Sequence, residues 1–405
     1  MSMKHILTWA MLLTALMISG CSPSVGGKGE IQFKEIFESR SSRNHILIED
    51  TYELDVDGDE LGEWIVLYRF DPTQNQPQRG AGKWSNTPIQ AMVYDAIPCD
   101  PPLLYNWYLP APDNDYLGEG NSRDDEDIIV FTDDWLKGNS QVATEELIIN
   151  GPGPVNTFSI YSFRHNQKHK DGCQKPSHDS EGFELQGFFR SNGPISWTPA
   201  DDENNIPFTI TTYERTSYER SQLAIRSKYT PIFDTVKDHE TFIVNGRTKN
   251  PDEQSIDFLY GQPESPQDSP YPEKAVAAFY LSVGVGDQKD NERAHQFLVG
   301  EPELTNFESA PGWGLDLPPS EIDHVLIYSI SYTPDVEKER AHETREVTVV
   351  IKPISKDPNQ LLAPRSVTLQ VLGVPIGEGR NADCEWRLQE VSNVEVTPGL
   401  GMLTR

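Results

Sequence analysis

From His45 to Tyr229 the chain repeats one pattern: a short run of β-branched and aromatic residues closed by glycine, proline, asparagine or aspartate. "HILIED", "EWIVLYRF", "IQAMVYDA", "DIIVF", "EELIIN", "FSIYSF", "FELQGFF", "FTITTY" and "SQLAIRSKY" are such runs. Between them no stretch carries apolar residues at i, i+3, i+4 and i+7, the spacing of an amphipathic helix. Short strands punctuated this regularly predict an all-β domain over residues 31–260, either a propeller-like meander or a sandwich.

The punctuation changes at "GQPESPQDSPYP", where prolines crowd and no apolar pattern is sustained. Residues 261–271 read as a linker. Beyond it Pro272 suits a first helical position and Glu273 favours the positive helix start. Val276, Phe279, Tyr280 and Val283 then share one helical face, and "NERAHQFL" predicts a second helix. Four strand patterns follow: "IDHVLIYSISYT", "REVTVVIKPI", "RSVTLQVLGVPI" and "CEWRLQEV". The expected fold class is therefore multi-domain, an all-β domain followed by an α+β domain (272–398) with helices packed on a curved antiparallel sheet.

Residues 1–21 read as a processing segment. Lys4 and His5 precede "ILTWAMLLTALMI", an uncharged run too short to span a bilayer, which closes on Ile18-Ser19-Gly20-Cys21. That close resembles the lipobox of bacterial lipoproteins. The resemblance implies a diacylated Cys21, a lipid anchor to the membrane and a place in the bacterial cell envelope outside the cytoplasm. Ser22, where aspartate would imply inner-membrane retention, points further outward. Residues 22–30 then form a flexible tether.

With 63 acidic against 34 basic residues the formal charge is −29. This excess excludes nucleic acid and anionic headgroups as partners, and it suits a compartment rich in divalent cations. Disulfides are permitted outside the cytoplasm. Cys99 and Cys173 both lie in turn-rich contexts, so their pairing is expected, with Cys384 left as a thiol. The two other single pairings of these three cysteines stay open.

"DVDGDELGEW" sets Asp55, Asp57 and Asp59 at alternate positions, with the Leu61 carbonyl and then Glu63 at the same step beyond. A turn at Gly58 would aim these hard oxygens at one centre, the kind of donor set that Ca²⁺ takes. The alternative is a solvated acidic turn. The stretch resembles the calcium loop of FG-GAP repeats, as in integrin α-chain propellers and their bacterial relatives, which reads D-x-D-G-D-G-x-x-D before a strand. The resemblance implies Asp55, Asp57, Asp59, Leu61 and Glu63 as ligands of a structural calcium. Glu60, where the family has a second glycine, and Glu63, where it has aspartate, depart from the pattern. A second unit has the same order. Glu146 opens "ELII" as Glu63 opens "EWIVL", and Tyr161 follows as Tyr94 does, but Gly138, Ser140 and Val142 fall where the first ligands would be.

"RHNQKHKDGCQKPSHD" spaces His165, His169 and Cys173 four apart, with His178 beyond, which permits a tetrahedral zinc site. A long hairpin loop has the same composition, and a disulfide at Cys173 would remove that ligand.

No G-x-S-x-G, Walker loop or H-E-x-x-H is present, and "GVG" at Gly284–Gly286 ends a helix where a nucleotide-binding loop would start one. The order of two helices and four long strands is similar to the ketosteroid-isomerase-like (nuclear-transport-factor-type) fold. That likeness implies an apolar pocket without supplying catalytic residues. The expected function is a non-catalytic, lipid-anchored interaction module that binds a protein or a small apolar ligand. An enzyme using that pocket, with Asp323 or His324 as base, is the alternative.

Overall fold

The computed structural model describes residues 46–56, 62–70, 89–97, 103–109, 129–133, 136, 146–151, 155–164, 182–200, 206–215, 222–263, 265–268, 271–284, 288–300, 313–332, 343–376 and 383–397. Strands β1 (Ile46–Leu54), β2 (Glu63–Phe70), β3 (Ile89–Ile97) and β4 (Leu103–Tyr108) form a four-stranded antiparallel meander. Strands β5 (Ile129–Asp133), β6 (Glu146–Gly151), β7 (Asn156–Arg164) and β8 (Gly182–Ser191) form another.

The two meanders share a register. Glu63 and Glu146 each open the second strand. The residue after each pairs with the tyrosine of the third strand, Trp64 with Tyr94 and Leu147 with Tyr161. Equivalent faces also point the same way. Ile65, Ala91 and Val93 of the first sheet pack with Leu147, Ile149 and Tyr161 of the second. Ile148, Phe158 and Ile160, the equivalents of those first three, face onward to Phe208, Ile210 and Phe242. The sheets thus stack head to tail, and the middle one is buried on both faces. This explains why "ELII" is continuously apolar where a strand with one wet face would alternate.

The third sheet has the order β16-β11-β10-β9. It comprises β9 (Ser196–Thr198), β10 (Thr209–Arg215), β11 (Leu223–Tyr229) and β16 (Glu253–Phe258). Two small hairpins interrupt it: β12 (Ile232–Asp234) with β13 (His239–Thr241), and β14 (Ile243–Val244) with β15 (Arg247–Thr248). The second turns through Asn245 and Gly246, at φ 52° and 77°, the left-handed pair that a tight two-residue hairpin requires.

These hairpins are clipped to β8. Gln186 is the extra residue of a β-bulge, since Ile160 pairs with Gly187 and Tyr161 with Leu185. Its carbonyl accepts from the Phe242 amide at 2.8 Å, its side-chain amide donates to Ser162 Oγ at 2.6 Å, and its Oε1 lies 3.0 Å from His239 Nε2. Lys237 pairs with Glu184 alongside. Thr248 Oγ1 donates to the Phe188 carbonyl at 2.8 Å, so the outer edge of β8 is covered.

The remaining elements are helices α1 (Pro272–Leu281) and α2 (Gln288–Gln296) and strands β17 (Ile322–Tyr332), β18 (Thr344–Ser355), β19 (Arg365–Ile376) and β20 (Asp383–Val396). The four strands pair in sequence order. Here the expected fold class is corrected. The chain is mostly β throughout, and no sizeable α+β domain with helices packed on a sheet forms. Among the described residues twenty strands accompany two α-helices, of ten and nine residues.

The physical reason lies in α1. Every residue of it but Lys274 is buried, so it is not an amphipathic helix lying on one sheet. Its cluster includes Leu223, Ile256 and Phe258 of the third sheet as well as Val325, Ile327, Val349 and Trp386 of the last. The helix is a plug with β-structure on more than one side. Reading only Val276, Phe279, Tyr280 and Val283 as its buried face overlooked Ala275, Ala277 and Ala278, which are equally covered.

Candidate functional site

The acidic stretch is the loop of the β1–β2 hairpin. The last pair of the ladder is Leu54 with Glu63, so residues 55–62 form the connection. Its two ends are tied. The Val56 amide donates to Glu63 Oε2 at 2.7 Å, and both residues are almost fully buried, at 1% and 2% exposure. An N–H to a carboxylate is a charge-assisted bond, stronger than its neutral counterpart. At the other end of the loop, a Cβ on Gly62 would stand 2.8 Å from Glu53 Cγ, so glycine lets the chain pass beneath that side chain.

Of the five residues expected to hold calcium, the structure therefore places Glu63 at the strand entry and a half-buried Asp55 just after the end of β1. Asp57, Asp59 and Leu61 lie outside the described residues. Among the described residues no group of three or more His, Cys, Asp or Glu side chains stands together as a metal site.

Cys21, Cys99, His165, His169, Cys173 and His178, and with them the lipidation, disulfide and zinc expectations, lie outside the described residues. Cys384 is half-buried against the main core. Among the described residues no helix is long and apolar enough to cross a membrane.

Asp323 and His324 do meet. Asp323 is the extra residue of a bulge at the start of β17, where Ile322 pairs with Ser355 and His324 with Ile354. The bulge re-aims consecutive side chains, and His324 Nδ1 lies 2.7 Å from Asp323 Oδ2. The carboxylate can only accept, so Nδ1 carries the proton. Asp323 is 59% exposed, the setting of a surface pair.

Sequence reasoning missed the polar clip formed by Glu184, Gln186, Lys237 and His239. A glutamine inside an apolar strand reads as outward-facing, and nothing short of the bulge reveals that it is buried. The hairpin beside it did carry a signal: Asn245-Gly246 between "IV" and "RT".

No family model matches the chain, and no curated protein or solved structure matches it.

Proposed function

We propose that this protein is a lipid-anchored, extracytoplasmic module of the bacterial cell envelope, held by Cys21, that binds a partner without catalysing a reaction. Its FG-GAP-like β1–β2 loop holds a structural Ca²⁺ through Asp55, Asp57, Asp59, the Leu61 carbonyl and Glu63. The ion fixes the entry of β2 and stiffens the stacked sheets that serve as the binding platform. A protein or a small apolar ligand is the occupant, and nucleic acid is excluded by charge.

The observation that supports the calcium reading best is the tie between Val56 and Glu63. It presets one carboxylate at the base of the loop, and the remaining acidic residues would repel one another at short range without a cation between them. The anchor is supported by the basic start, apolar run and small-residue close before Cys21. Calorimetry with Ca²⁺ on the purified chain tests the first part: heats saturating in the native chain and absent in Asp57→Ala support it, and equal heats in the two count against it. Fractionation of cells expressing Cys21→Ala tests the second. Release of the variant from the membrane fraction is expected, and an unchanged distribution would refute the anchor.

A further inference from the structure

Two other buried phenols among the described residues have partners. Tyr68 donates to Gln90 Oε1 at 2.9 Å, and Tyr280 donates to the Trp313 carbonyl at 2.9 Å. Tyr161 departs from this. It is 0% exposed, as is Ser159 two residues earlier on β7, and among the described residues neither hydroxyl has a hydrogen-bond partner.

Residues two apart on a strand share a face. Tyr161 belongs to the cluster between the first two sheets, so Ser159 faces the same interface. The surroundings there are apolar: Ile65, Val93, Leu147 and Ile149. The two hydroxyls are near one another. Burial pushes the Tyr161 phenol far up, and the Ser159 hydroxyl offsets a part of that rise. Their geometry nevertheless does not make a bond between them. Two adjacent hydroxyls, each able to donate and accept, sealed from solvent and not bonded to one another, are what an internal water satisfies. Such a water needs two to four polar partners, and native interiors rarely leave a hydroxyl dry.

We propose that the interface between the first two sheets encloses one ordered water, held by Ser159 Oγ and the Tyr161 hydroxyl. This site is independent of the calcium loop. It explains why a serine stands on this apolar face of β7, where the equivalent position of the first meander is Met92.

The test is a crystal structure of the full chain at a resolution that shows waters, together with urea unfolding of two variants. A density peak at about 2.7–3.0 Å from both hydroxyls is expected. It should be lost in Tyr161→Phe, and the unfolding midpoint should fall in that variant. A direct bond between the two hydroxyls with no peak would overturn the proposal, and so would a midpoint that holds or rises in Tyr161→Phe, because removing a dry hydroxyl relieves a burial penalty. Ser159→Ala removes one oxygen and no volume to speak of, and it gives the same reading if Tyr161→Phe does not accumulate. Addition of a calcium chelator should leave the peak in place, which separates this site from the loop.

Discussion

The Val56 amide and the Glu63 carboxylate meet at 2.7 Å across the mouth of the β1–β2 hairpin, where the ladder ends. A buried bond to a charged acceptor is worth about 1.5–3 kcal/mol. Glu63→Ala should therefore lower stability by about that much even without calcium. Glu63→Gln keeps an acceptor oxygen, so it should retain most of the intrinsic stability and lose the response to the cation. At a hundredfold excess over Kd, calcium should add about 2.7 kcal/mol to the native chain. Thermal unfolding with and without calcium measures both effects, and a native protein indifferent to calcium would leave Glu63 a structural residue alone.

Gly284 follows the end of α1 at φ +81°, and a Cβ there would stand 2.5 Å from the Ile322 carbonyl oxygen. The opposing atom is backbone and cannot swing away. Gly284→Ala should cost more than about 1 kcal/mol, since both the left-handed backbone and the contact disfavour a side chain. Urea unfolding should show a lowered midpoint with an unchanged slope. A neutral result would mean that the turn and the start of β17 are not in contact.

Gln186 holds Ser162 on one side and His239 on the other, and is itself 0% exposed. Gln186→Ala leaves both partners without their bond at a cost of about 1–3 kcal/mol. Because the backbone bond from Phe242 survives, the loss should be local. Hydrogen exchange should rise in residues 232–248 while β6 and β7 stay protected. Uniform acceleration across the second sheet would contradict this division.

The strands were legible because their composition and turn residues act locally, and the shared order around Glu63 and Glu146 was legible because it is written in the residues. What governs the rest is long-range. Period-two alternation fails wherever a bulge inserts one residue, as at Gln186 and Asp323, and no local pattern marks the insertion. The misreading of α1 has the same origin. Alanines are neutral on a helical wheel, and only the presence of sheet residues such as Phe258 and Trp386 in one cluster decides that they are buried. Of the proposed calcium set, the sequence pattern named the carboxylates, but the tie from Val56 to Glu63 depends on where the hairpin ladder stops.

Asp252 joins the end of β11 to the start of β16. It accepts from the Thr230 amide at 2.7 Å, from Thr230 Oγ1 at 2.8 Å and from Lys249 Nζ at 2.5 Å. Burial alone would raise its pKa, but the bonds from Lys249 and Thr230 outweigh that and hold the carboxyl below its ordinary range. A carboxyl depressed in the folded state contributes stability above its unfolded pKa of about 3.9, and that contribution is lost as pH falls through the folded value. Asp252→Asn should thus destabilise the protein at neutral pH and progressively less as the solution is acidified below about pH 4. The side chain is 42% exposed, so solvent screening limits the ion-pair part of the effect to under about 1 kcal/mol. Urea midpoints of the native chain and the variant, compared at neutral pH and again near pH 3, should lie closer together at the lower value. A gap of equal size at both would show that the hydrogen-bonding shape of the side chain, and not its charge, holds these two strands together.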